Sequence, residues 1–106
     1  YMCSAWDLTS LKKLIGLKVK HIKIPSACNN NYELLSYLFS KFNGFCHISL
    51  GMTTLAEEEK IFQLSKKYKK NKKLILYACT SDYPVKHEDI CLLEINRLRK
   101  NYEKII

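Results

Sequence analysis

The feature that most constrains this chain is alternation. Short apolar runs at Tyr1 to Ala5, Val19 to Ile24, Phe45 to Leu50 and Leu74 to Cys79 are separated by longer stretches with apolar residues at helical spacing. Strand starts near residues 1, 20, 45, 74 and 104 predict strictly alternating βα units. Such units imply a parallel sheet joined by right-handed crossovers.

The intervening stretches carry helix signals. Asp7 can cap a helix whose apolar residues are Leu8, Leu11, Leu14 and Ile15, with Gly16 to end it. Asn29, Asn30 and Asn31 supply turn and cap chemistry before Leu34, Leu35, Leu38, Phe39 and Phe42, and Asn43-Gly44 closes that unit. Thr54 and Glu57 form a capping box ahead of Ile61, Leu64, Ser65 and Tyr68. A fourth helix is predicted over Ile90 to Tyr102, with Leu93, Ile95, Leu98 and Tyr102 inward and Glu88-Asp89 at its start. Ile105-Ile106 looks like the beginning of a fifth strand.

A flavodoxin-like open sheet fits the count. The chain, however, opens inside one strand and stops inside another, so the expectation is a single partial domain over 1–106. It reads as about four consecutive βα units of a (β/α)8 barrel, a fold of about 250 residues.

Composition excludes several classes. With 47% hydrophobic and 26% charged residues the chain is globular. Its apolar runs are too short to span a bilayer and no secretory signal opens it, so it reads as cytoplasmic, without a membrane partner. The net charge of +8 suggests an anionic partner, but six lysines crowd into Lys66 to Lys73, at the end of a helix, where they complement its dipole and solvate a surface. Arginine occurs only at Arg97 and Arg99, which disfavours nucleic-acid readout. The five cysteines include no Cys-x-x-Cys pair and read as reduced, buried small hydrophobes. None of the histidines His21, His47 and His87 has metal-ligand spacing to another, so they read as structural or solvent-facing.

Parallel sheets deliver polar groups at the carboxyl ends of their strands. There the chain offers Ser4, Lys23, Ser26 and Ser49, then Thr80, Ser81, Asp82 and Tyr83. One cation ringed by hydroxyls suits a phosphate or carboxylate. Lys23, between Ile22 and Ile24, needs a partner if it points inward and is a solvated strand lysine if outward.

Three ordered motifs, Lys23-Ile-Pro-Ser-Ala-Cys-Asn-Asn-Asn31, His47-Ile-Ser-Leu-Gly-Met-Thr-Thr54 and Cys79-Thr-Ser-Asp-Tyr-Pro84 with Glu88-Asp89, resemble consecutive motifs of the N-acetylneuraminate (sialic acid) synthase family. Tyr1-Met-Cys-Ser-Ala-Trp-Asp7 looks like the preceding strand motif, so the resemblance spans nearly the whole chain. It implies a transferase that condenses phosphoenolpyruvate with an N-acetylated amino sugar, giving a nine-carbon 2-keto sugar acid and phosphate. By matching positions it implies that Ser4, Lys23, Ser26, Ser49 and Ser81 hold phosphoenolpyruvate and that Tyr83 faces the sugar.

The resemblance further implies a divalent metal, manganese or magnesium, with ligands outside this segment. It also implies a general-base carboxylate before residue 1, a C-terminal capping domain and a homodimer, and in bacteria a product used for surface polysaccharide or flagellar modification. Leu50 stands where a threonine is usual, Ala78 where histidine is common, Cys28 where many members are acidic, and Ser81 where asparagine is frequent. Those departures leave the sugar open between N-acetylmannosamine and 6-deoxy diacetamido sugars. Two rival readings share the rim chemistry or the charge: another phosphate-binding barrel of the 3-deoxy-octulosonate-phosphate synthase or aldolase type, and a basic interaction module.

Overall fold

The computed structural model describes residues 1–102. Strands β1 (Met2–Ser4), β2 (His21–Ile24), β3 (Phe45–Ser49) and β4 (Leu74–Tyr77) form one parallel sheet in the order β1-β2-β3-β4. Helices α1 (Leu8–Gly16), α2 (Tyr32–Lys41) and α3 (Leu55–Lys67) connect them, and α4 (Glu94–Asn101) follows β4. The expected fifth strand at Ile105-Ile106 lies outside the described residues.

Strand order separates the two parallel architectures. A doubly wound sheet reverses direction at a switch point and carries helices on both faces. Here the order runs one way and α1 packs on α2, and α2 on α3, in a single layer. That is the winding of a (β/α)8 barrel wall, and it excludes the flavodoxin-like alternative.

Side-chain alternation then gives the sheet two unlike faces. Ile22, Ile24, Cys46, Ile48, Leu74 and Leu76 point toward the helices, and each is at most 1% exposed. They pack with Leu11, Leu34, Leu35, Leu38, Phe39 and Ile61 into one apolar core. The opposite face carries Ser4, His21, Lys23, His47, Ser49 and Tyr77, by the register that pairs Ser4 with Lys23, Lys23 with His47 and Ser49 with Tyr77.

Local chemistry sets the helix starts. The Asp7 side chain accepts from Ser10 N at 2.8 Å while Ser10 Oγ accepts from Asp7 N, a reciprocal box. Thr54 and Glu57 make the same arrangement ahead of α3, as their spacing predicts, and Asn31 caps α2 through Leu34 N. Gly16 does not supply the left-handed stop of α1. It is the last helical residue, and Lys18, with φ 55°, takes that position.

Gly44 likewise lies beyond the end of α2, which stops at Lys41. Its role is close approach, because a Cβ there would collide with Lys20 O and the Phe42 ring. The lysine-rich stretch does end a helix, and two of its members are tied down: Lys70 Nζ donates to Asn43 Oδ1 at 2.8 Å and Lys73 Nζ to Asn43 O at 2.5 Å.

The fourth unit departs most from expectation. β4 stops at Tyr77 rather than Cys79, since β3 ends at Ser49 and offers only one further ladder bond, Leu50 N to Tyr77 O at 3.0 Å. Glu88-Asp89 does not open α4. It belongs to a 3-10 turn, His87–Asp89, where the Asp89 carbonyl accepts from Thr80 Oγ1 at 2.9 Å. Leu93 is not inward either, being 81% exposed, whereas Leu98 and Tyr102 are buried as the spacing predicts.

α4 is held to α3 by a fork. Arg97 Nη1 and Nη2 donate to the two oxygens of buried Glu58 at 2.9 and 2.7 Å, and Arg97 Nε donates to Glu94 at 2.8 Å. Removing Glu58 takes the buried carboxylate and two of the three charge-assisted bonds from Arg97, whereas Glu94 is itself half-solvated. Glu58→Ala is therefore expected to cost about 3 kcal/mol and Glu94→Ala below about 1 kcal/mol, measured by urea unfolding. Equal costs would contradict this account.

Candidate functional site

Where the strands end, the second and third βα connections close on the loop after β4. Ser26 follows β2 in a short 3-10 turn, Ser26–Cys28, started by Pro25. Gly51 follows β3, and its N–H is shared between Ser26 Oγ at 3.1 Å and Cys79 Sγ at 3.2 Å. Ser26 Oγ and Cys79 Sγ are 3.4 Å apart. A Cβ on Gly51 would lie 2.8 Å from Ser26 Oγ and collide with Ser81 Oγ, so both hydroxyls press on this glycine.

Beneath the turn, Asn29 is buried and acts as a brace. Its Nδ2 donates to Ser49 O at 2.8 Å and to Thr53 Oγ1 at 2.5 Å, holding the start of the β3–α3 loop against the β2–α2 turn. The sequence suggested a turn or cap for this residue. Nothing in its local pattern announces a bond across twenty positions.

The other expected residues distribute as follows. Ser26 and Ser81 meet at Gly51. Lys23 lies on the open face and is half-buried, with Nζ 5.6 Å from the centre of the Tyr77 ring. This settles the inward-or-outward question: Lys23 faces away from the helices, over an aromatic face that partly offsets its desolvation. Ser4 is paired with Lys23 in register and is exposed, and Ser49 is buried beside Tyr77. Tyr83 is not gathered in. It is 96% exposed in the loop, with its N–H donating to Asp82 Oδ1.

The cysteine expectation needs correction. Only Cys46 is a buried hydrophobe, and burial pushes its thiol up to about 12. Cys79 and Cys91 are exposed, Cys3 and Cys28 half-buried. Cys79 leaves the core because β4 ends two residues earlier, which makes it part of the rim.

The histidine pattern carries a second surprise. His21 Nδ1 and His47 Nε2 are 2.9 Å apart, and His47 Nδ1 lies 2.8 Å from Tyr77 Oη. His21 stacks on Phe45 with ring centres 5.2 Å apart. The parity of His21 with Lys23 was visible in the sequence, but the contact depends on which strands become neighbours.

Among the described residues no three His, Cys, Asp or Glu side chains come together as a metal site. A cleft of about 460 Å³ does open between α3 and α4, lined by Leu55, Ile90, Ile95 and Leu98 with the paired Glu58 and Arg97. Its charges are matched with each other, it reaches the strand ends at Leu50, Ala78, Cys79 and Thr80, and Lys23, Ser26 and Ser81 are not in its walls. With alkylating reagent on the folded protein, Cys79 is expected to label readily and Cys46 only after unfolding, as peptide mass spectrometry would report. Early labelling of Cys46 would contradict the buried assignment.

Comparison with known proteins places this geometry. The NeuB family profile matches residues 1–106. The chain is 33% identical, over 106 residues, to an N,N'-diacetyllegionaminic acid synthase of Legionella pneumophila, covering 97% of this chain and 30% of that protein. It is also 33% identical over 105 residues to the N-acetylneuraminate-9-phosphate synthase of Drosophila melanogaster, covering 99% and 28%. Among solved structures, an N-acetylneuraminic acid synthetase from Leptospira borgpetersenii in complex with citrate superposes with a TM-score of 0.90 at 29% identity, covering 96% of this chain and 35% of that one. The spore coat polysaccharide biosynthesis protein spsE of Bacillus subtilis, at 19% identity and a TM-score of 0.89, shares the fold. The chain thus spans about 30% of the length of its relatives. A parallel wall of βα units, matched along its whole length, makes this chain a member of the NeuB family.

Proposed function

We propose that the protein carrying this chain condenses phosphoenolpyruvate with an N-acetylated amino sugar to give a nine-carbon 2-keto sugar acid and inorganic phosphate. The observation that carries this reading is the junction of Ser26, Ser81 and the Gly51 N–H at the strand ends, on the rim of the face that bears Lys23. Family membership supplies the reaction class: the relatives named above are sialic and legionaminic acid synthases. The Leptospira relative was solved in complex with citrate, a carboxylate anion.

In this reading the Lys23 ammonium supplies the fixed positive charge. The hydroxyls of Ser4, Ser26, Ser49 and Ser81 replace the water shell of the phosphate and carboxylate oxygens. Carbon 3 of phosphoenolpyruvate bonds to the sugar aldehyde carbon, whose oxygen takes a proton. Water adds to the cationic carbon 2 and releases a proton, and the bond from carbon 2 to the phosphate oxygen then breaks, leaving the keto group and phosphate. The chain's part is to hold one reactant still and to stabilise charge, since bound orientation alone removes much of the barrier.

In this reading Tyr83, exposed on its loop, is assigned to the sugar because the family resemblance puts it there. Leu50 and Ala78, on the loops after β3 and β4, are apolar where the resemblance leads one to expect polar side chains. N-acetylmannosamine and diacetamido 6-deoxy sugars are therefore both to be tried. The divalent metal implied by the family is assigned to ligands outside these residues, as are the remaining strands and the capping domain.

The test is an assay of the full native protein with phosphoenolpyruvate, manganese or magnesium, and a panel of N-acetyl sugars. Sugar-dependent phosphate release is expected, and Lys23→Ala should lower it by roughly a hundredfold or more. Phosphoenolpyruvate should also slow alkylation of Cys79, which touches Ser26. Phosphate release that never depends on a sugar, or that survives Lys23→Ala unchanged, would sink the proposal.

A further inference from the structure

One row of the open face is used by none of these roles. His21, His47 and Tyr77 stand on adjacent strands β2, β3 and β4, each two positions beyond the direct register partner of the one before, so their side chains meet in a line across the sheet. Lys23 and Ser49 occupy the next row toward the carboxyl ends with the same offset. The histidine row therefore lies directly under the cradle.

The line has two ends of different character. His21 is half-exposed and stacked on Phe45, while His47 is only 6% exposed. Tyr77 presents its ring to the Lys23 ammonium and its hydroxyl to His47. From the structure we infer that His47 is a positioning residue: it couples the protonation of His21 to the grip of Tyr77 on Lys23, and so to the affinity of the cradle for its anion. The inference rests on the phosphoenolpyruvate reading of that cradle.

The coupling follows from counting donors. With both rings neutral, Tyr77 Oη–H can donate to His47 Nδ1, and His47 Nε2–H to His21 Nδ1. A phenol that donates is electron-rich and holds the ammonium well. Once His21 is protonated, both of its nitrogens are donors and only the reverse order survives: His21 Nδ1–H to His47 Nε2, then His47 Nδ1–H to Tyr77 Oη. The ring gives up electron density, its hold on Lys23 weakens, and a second positive charge now lies on the face.

Both changes favour an anion above the row. Burial, then His21, then Lys23 lower the pKa of His47, which favours the neutral form of the middle member of the row. Among the described residues, the charged and titratable groups facing His47 are His21 and Lys23 from β2 and Tyr77 from β4, and β1 brings Met2 and Ser4 to the same face.

The sign is fixed: phosphoenolpyruvate binding should gain from the row as pH falls through the histidine range. The experiment measures its dissociation constant in the full native protein between about pH 8.5 and about pH 5.5, for the wild type, Tyr77→Phe, His21→Phe and Lys23→Ala. Protonation of the ligand's own phosphate affects all proteins alike, so the readout is the ratio of variant to wild-type constants. For Tyr77→Phe, which keeps the ring, and for His21→Phe, which keeps the stack on Phe45, the ratio should rise about five- to tenfold toward low pH.

A purely structural role would shift affinity by the same factor at every pH, and a flat ratio in both variants overturns the inference while leaving Lys23-dependent binding intact. If Lys23→Ala binds as the wild type does, the cradle reading fails, and this inference fails with it.

Discussion

Everything in this structure depends on the one-directional parallel ladder. Because each crossover is right-handed and each strand adds to the same edge, all three connecting helices fall on one side. That single choice seals Ile22, Ile24, Cys46, Ile48, Leu74 and Leu76 against the helices and frees the alternate residues for other work. An ammonium, two imidazoles, a phenol and hydroxyls can then share a face that contributes little to the main apolar core. The helical side carries the apolar core, and the polar side chains gather on the other.

Above the sheet, precision comes from close approach more than from regular structure. Gly51 has no side chain to separate Ser26 from Ser81, and its N–H orients Ser26 Oγ and Cys79 Sγ together. Asn29 ties the two underlying loops through bonds to Ser49 O and Thr53 Oγ1. Three loops from distant parts of the chain thus become one surface. A single buried amide and one missing methyl hold them in place.

How much of this could be read beforehand follows from the range of each signal. Apolar periodicity and cap chemistry are local, so the four βα units and the Thr54–Glu57 box are legible in the sequence, as are the cap at Asp7 and the strand-end positions of Ser26 and Ser81. Register between strands is not local, so the line from His21 through His47 to Tyr77 and the brace made by Asn29 are invisible until neighbours are known. The misread region, residues 88 to 93, fails for a related reason. Acidic residues beside leucines look like the first turn of a helix, but Thr80 captures the Asp89 carbonyl and a 3-10 turn forms instead. Cys79 was misjudged because the end of β4 is decided by the length of β3, a fact written elsewhere in the chain.

The fork between Glu58 and Arg97 has a consequence for how such a wall can vary. α4 begins at Glu94 without any side-chain cap, so its position is fixed from its middle, by α3, and not from its first turn. The segment from Asp82 to Lys86, which carries Tyr83, hangs between a strand that ends by ladder exhaustion and a helix moored elsewhere. Its sequence is therefore free to drift without loosening the barrel wall. A scaffold built this way can vary one loop while leaving the junction of Ser26, Gly51 and Cys79 in place.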